Sequence, residues 1–203
     1  MSNVLPLFST PIFTFDKYVE DESNFVELAN SQEYIANKGG NLVSINTSIL
    51  ELPEFSELKM RIQESVDEYI NEVLRLDQYE FYITQSWVNF NPIGSSHHIH
   101  HHSNSLYSGV YYIKSSGSCI KFHSDDDFHM SGRFLSLETS DYNLWNSRIW
   151  SVSVDDNSVV LFPSSTTHSV DENQTDTDRI SLAFNIFIKG SIGSEKSLTH
   201  LDL

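Results

Sequence analysis

Two kinds of hydrophobic periodicity divide the chain near residue 78. Before that point Phe55, Leu58, Ile62, Val66, Tyr69, Ile70 and Val73 recur at i, i+3, i+4 spacing after Pro53, which predicts an amphipathic helix over 54–76 with one buried face. A weaker pattern over 21–38 predicts a second helix, stopped by Gly39-Gly40. From Tyr79 onward the apolar residues gather in short runs rich in Val, Ile, Tyr, Phe and Trp: 80–89, 106–114, 118–123, 148–154, 158–162 and 179–188. Polar turns such as Ser115-Ser-Gly-Ser118 and Asp155-Asp-Asn157 separate them, so they read as strands. Strands in succession without helices between them predict an antiparallel sandwich, jelly roll or small barrel. The expected organisation is one domain, with residues 1–78 as helical support, 79–190 as β-core and 191–203 as a tail.

Composition narrows the picture. The 203 residues are 39% hydrophobic and 12% aromatic, enough for a packed core. Twelve Lys and Arg stand against 28 Asp and Glu, a net charge of −16. That charge repels phosphate backbones and anionic lipid, so it disfavours nucleic-acid and membrane partners and favours a basic one. No apolar run reaches the length of a membrane span, and Met1-Ser-Asn-Val-Leu-Pro6 carries no secretory signal pattern. A single cysteine, Cys119, rules out an internal disulfide framework. The expectation is a cytoplasmic protein, with a homodimer left open.

The candidate chemistry lies in the histidines. Five of nine fall within His97-His-Ile-His-His-His102. A solvated polar loop is the bland reading of such a run. In extended backbone, however, alternate residues share a face, so His98, His100 and His102 point the same way. A His-x-His pair aims two imidazoles at one point, and neutral imidazole suits Fe, Zn, Cu or Ni better than Mg or Ca. His168 is the best candidate for a third ligand. It ends Val159-Val-Leu-Phe-Pro-Ser-Ser-Thr-Thr-His168, an apolar run broken by Pro163. His123, His129 and His200 lie in or beside polar segments and read as surface residues. In Arg179-Ile-Ser-Leu-Ala-Phe-Asn185 both faces look buried, yet one opens with Arg179 followed by Ser181. A buried guanidinium needs a partner, either a carboxylate of the chain or that of a ligand.

Taken in order, His100-x-His102, His168 and then Arg179-x-Ser181 resemble the Fe(II)/2-oxoglutarate-dependent oxygenases of prolyl-hydroxylase type. The likeness is greatest to an uncharacterised branch found in marine bacteria and cyanophages, and rests on Trp87-Val-Asn89, His100-His-His102, Leu106-Tyr-Ser-Gly-Val-Tyr-Tyr112 and Phe162-Pro-Ser-Ser-Thr-Thr-His-Ser-Val170. It runs from about Trp87 to Asn185. The resemblance implies a double-stranded β-helix, or jelly roll, flanked by N-terminal α-helices. It implies Fe(II) on His100, His102 and His168, with 2-oxoglutarate as cosubstrate on Arg179, Ser181, Tyr112 and Asn89, and O2 as oxidant. A C–H bond of a protein, peptide or small molecule would be hydroxylated, with release of succinate and CO2; for a viral chain the place would be the host-cell cytoplasm. Two departures stand out: His102 occupies the place of the usual ligand carboxylate, and Ser103 that of a proline often found there. His98 remains an alternative ligand. A cupin-like three-histidine protein that binds metal or a small molecule without catalysis is the rival reading. The polar stretch 124–146 is a candidate lid or a surface excursion.

Overall fold

The computed structural model describes residues 5–16, 18–124 and 138–203. The elements run β1 (Phe13–Asp16), α1 (Phe25–Asn30), β2 (Tyr34–Ala36), β3 (Leu42–Ser44), α2 (Ser56–Glu68), β4 (Glu80–Asn91), β5 (His97–His100), β6 (Tyr107–Lys114) and β7 (Cys119–His123). They continue with β8 (Ile149–Ser153), β9 (Ser158–Pro163), β10 (His168–Val170), β11 (Arg179–Lys189), β12 (Ser191–Ile192) and β13 (Leu201–Asp202). Seven strands form a major sheet in the order β1-β9-β6-β11-β4-β3-β2, and β5-β10-β7-β8 form a minor sheet. Every pairing between these strands is antiparallel. The fold is a double-stranded β-helix. No helix among the described residues is long and apolar enough to cross a membrane.

The expected strands are present, and three features differ from expectation. The segment 21–38 holds only a six-residue helix, α1, before turning into β2. The first 78 residues are therefore not purely helical support, because β1, β2 and β3 extend the major sheet on both sides. These strands are three or four residues long and owe their extended backbone to pairing partners distant in sequence, Ser158–Leu161 for β1 and Asn89–Phe90 for β3. The last thirteen residues, expected as a tail, carry the β12–β13 hairpin. Of the stretch 124–146 expected as a lid or surface excursion, residues 125–137, His129 among them, lie outside the described residues.

Helix α2 buries Leu58, Ile62 and Val66, in line with its periodicity. It then widens into a π-turn at Tyr69–Val73, which leaves Val73 exposed rather than on the buried face. Strand β11 shows why both faces of one strand are apolar. Ile180, Leu182, Phe184 and Ile186 meet the helices in the larger core, while Ala183 joins Val110, Tyr112, Val160 and Phe162 between the two sheets. The same alternation sorts the strand β6 motif: Tyr111 faces the helices, and Ser108, Val110 and Tyr112 face the sheet interior.

Gly109 is required for space rather than for an unusual dihedral. A Cβ there would lie 2.2 Å from Phe184 Cζ and 2.6 Å from Leu161 Cδ2. Both neighbours are fully buried, so neither can swing away. Gly109→Ala is expected to cost about 1–3 kcal/mol by overpacking. A thermal melt should show this as a Tm several degrees lower.

Candidate metal and cosubstrate site

Between the sheets lies a cavity of about 260 Å3 into which β4, β5, β6, β10 and β11 all point side chains. At one end, His100 on β5 and His168 on β10 are direct cross-strand partners. His102 follows two residues after His100, its backbone N–H donating to Ser164 O at 3.0 Å. The rings converge: the centroids of His100 and His168 are 4.3 Å apart, those of His102 and His168 5.2 Å. One ligand atom from each of the three lies within 4.8 Å of the others.

The second nitrogen of each ring decides what the cluster can do. His100 Nδ1 lies 2.8 Å from His98 O, and His168 Nδ1 lies 2.9 Å from Thr166 O. A carbonyl only accepts, so both Nδ1 atoms carry the proton and donate it. His102 Nδ1 lies 2.6 Å from Asn185 Oδ1. All three Nδ1 positions are therefore engaged, and Nε2 is the nitrogen left with a free lone pair. Outer contacts of this kind set the tautomer and orientation of metal-binding histidines. Burial lowers the imidazoles further, His168 to about 3 and His100 to about 4, and His102 in the same direction against the opposing bond from Asn185. They are neutral at pH 7, the form that ligates. The donor set fits a borderline metal such as Fe(II), and three neutral imidazoles bring no charge of their own to offset the ion's +2.

His98 is not part of this cluster. It serves through its backbone carbonyl, and its own Nδ1 is buried without a partner. His97 stacks on His100, centroids 4.4 Å apart and 15° between planes, and lines the cavity. His123 bonds Ser169 Oγ on the neighbouring strand at 2.8 Å, and His200 pairs with Asp202 at the chain's end. Neither lines this cavity among the described residues.

The other end of the cavity is built on one rung of the major sheet. Ser181 on β11 is the direct partner of Asn89 on β4 and of Tyr112 on β6. Arg179, two residues from Ser181 on the same strand face, pairs with Asn91. The four residues expected from sequence are thus brought together, and Asn91 joins them. Its place was legible from period two, since it follows Asn89 by two residues. Arg179 is 3% exposed, and its Nη2 has no hydrogen-bond partner; Asn89 Oδ1 and Asn91 Nδ2 are likewise buried and unpartnered. Burial pushes the Tyr112 hydroxyl up, so it is a neutral donor; it pushes the Arg179 guanidinium down, but a guanidinium stays protonated in proteins and remains a charged donor. Among the described residues no carboxylate lines this cavity, and Arg179 is its only side chain of fixed charge. In a chain of net charge −16, that is a pocket prepared for an anion.

The family model described as "Putative 2OG-Fe(II) oxygenase" matches residues 85–185. HygX from Streptomyces hygroscopicus, solved with nickel, 2-oxoglutarate and hygromycin B, is 14% identical with a TM-score of 0.60, over 87% of this chain and 82% of its own. A prolyl-4-hydroxylase from Pseudomonas putida is 14% identical with a TM-score of 0.57, over 88% and 94%. A Trichoplax adhaerens prolyl hydroxylase, solved with a hypoxia-inducible-factor peptide fragment, is 12% identical with a TM-score of 0.61, over 89% and 85%. At such identities the structures speak for the fold. No curated protein sequence matches the chain.

Proposed function

The chain belongs to the 2OG-Fe(II) oxygenases, and from that premise we propose that His100, His102 and His168 bind one Fe(II), while Arg179, Ser181, Tyr112 and Asn89 hold 2-oxoglutarate. The chemistry that Fe(II), 2-oxoglutarate and O2 bring to such a site is oxidative decarboxylation to succinate and CO2, coupled to hydroxylation of a substrate C–H bond. The protein's own part is binding, orientation and exclusion of water. Nδ1–H bonds hold the three imidazoles with Nε2 free. The Arg179 guanidinium takes the far carboxylate of the cosubstrate, with the hydroxyls of Ser181 and Tyr112 and the amide of Asn91 as further donors. Val110, Ile120, Val170 and Ala183 form the apolar wall between the two ends.

The observation that carries this reading is the unpartnered Nη2 of Arg179, buried in the same cavity as the three imidazoles. A cupin-like metal-binding protein without 2-oxoglutarate would have no use for it, since an uncompensated buried charge is destabilising. The substrate is a peptide or small molecule that enters only in part. At about 260 Å3 the cavity falls below the roughly 300–1,000 Å3 of sites that enclose a drug-sized ligand. The acidic surface favours a basic partner, while among the described residues the cavity offers no carboxylate to pair a cation, so the oxidised carbon belongs to an uncharged group.

Anaerobic addition of 2-oxoglutarate to the Fe(II)-loaded full chain tests the proposal. A visible charge-transfer band that saturates at one equivalent is expected. Its absence from iron-loaded protein would overturn the cosubstrate assignment.

A further inference from the structure

We propose that Asn185 is a positioning residue for His102. Its carboxamide oxygen holds the proton of that imidazole on Nδ1 and thereby presents Nε2 to the metal. The proposal rests on the reading of His102 as a ligand. Of the three imidazoles, His102 alone has a side chain, rather than a backbone carbonyl, as its Nδ1 acceptor.

The argument follows the protons. Ser105 Oγ donates to Tyr107 O at 2.7 Å, and a carbonyl cannot donate back. Ser164 Oγ, 2.8 Å from Ser105 Oγ, therefore gives its one hydrogen to Ser105. Asn185 Oδ1 can only accept, so at 2.6 Å it takes the hydrogen of His102 Nδ1; Ser108 Oγ, 2.7 Å from Ser164 Oγ and 3.0 Å from Asn185 Oδ1, then gives its single hydrogen to one of those two. That leaves Ser108 Oγ, 3.1 Å from His102 Nδ1, as a second acceptor beside Asn185 Oδ1 at 2.6 Å. With two acceptors facing it and no donor, Nδ1 keeps its proton.

Burial makes this arrangement costly unless every member of it is hydrogen-bonded. Ser108 and Ser164 are fully buried and Asn185 is 7% exposed. Polar groups in such a place must be mutually satisfied, and each one lost exposes the others. Asn185 and Ser108 are direct partners across β11 and β6, so the sheet register itself fixes the acceptor. Ser164 meanwhile anchors the His102 backbone, so ring and main chain are held by one network.

Co(II) and anaerobic Fe(II) titrations of the full chain test the proposal, with the metal-free melt of each variant measured alongside. Asn185→Leu, similar in size but with no acceptor, should weaken metal binding about 10–100-fold and alter the visible spectrum of the Co(II) form. Asn185→Asp restores an acceptor, now charged, and should bind metal within fivefold of wild type or more tightly. Should Asn185→Leu fail to fold, the Asp variant still decides, together with Ser108→Ala, for which a loss below tenfold is expected. Asn185→Leu within twofold of wild type, or Asn185→Asp as weak as Asn185→Leu, would overturn the positioning role. Equal metal binding by wild type and His102→Ala would instead overturn the ligand assignment on which the role rests.

Discussion

Replacing Arg179 with Met is expected to weaken 2-oxoglutarate binding by about 30- to several-thousand-fold, the range that follows from losing roughly 2–5 kcal/mol of a buried, charge-assisted pair. The size follows from the surroundings of the guanidinium. It is 3% exposed, its Nη2 has no partner, and among the described residues no carboxylate lies within ion-pair distance. A ligand carboxylate thus supplies the only full counter-charge in the cavity. The methionine side chain keeps the apolar volume but offers no donor. Iron binding should stay within a few-fold of wild type, because Arg179 sits at the cosubstrate end of the cavity. The ligand-free variant should melt no lower than wild type, since an uncompensated buried charge has been removed. Titration of the charge-transfer band in both proteins measures the effect, and identical curves would refute the role.

His168→Ala is expected to abolish stoichiometric metal binding. Outer-shell partners of metal ligands alone are worth about 10–100-fold in affinity, and a ligand itself exceeds that. His168 is 4% exposed, faces His100 directly across β10 and β5, and packs its ring 4.7 Å from that of Phe162. Among the described residues, only His100, His102 and His168 bring their ligand atoms within 4.8 Å of one another, so the variant keeps two of the three. Metal analysis after anaerobic reconstitution should find one equivalent in wild type and far less than one in the variant. His200→Ala, which alters a histidine at the far end of the chain, should leave the content unchanged. Full metal occupancy in His168→Ala would remove it from the ligand set.

The outcome for each element follows from how local its cause is. Strand β11 could be read from sequence because both its periodicity and its polar exceptions are intrinsic to the segment. Alternation alone puts Arg179, Ser181 and Asn185 on one face. His100 and His102 were legible for the same reason, since two residues apart in extended backbone means one side of the strand. Helix α2 was legible in its first three turns from its apolar spacing. Its last turn, where the backbone widens and releases Val73, was not, because that depends on how Tyr69 and Ile70 pack. The excess length of the helix expected over 21–38 has the same origin. Tyr34–Ala36 is extended because β3 pairs with it, and β3 because β4 does, with partners up to 48 residues away.

The type of chemistry is written in residue identity and spacing: three imidazoles, one guanidinium, and hydroxyls placed at period two on strands. Those properties belong to residue identity and to the geometry of a single strand. Tertiary structure alone decided that His168 faces His100 and that Ser181 lies between Asn89 and Tyr112. It alone decided that Asn185, 83 residues from His102, holds that ring's proton. It also decided that His100, His102 and His168 are neutral and that, among the described residues, no carboxylate lines the cavity with Arg179, because both depend on which groups burial brings near and which it keeps out. Desolvation and charge pairing act through space, and the register between distant strands, which the local pattern does not encode, sets the distances over which they act.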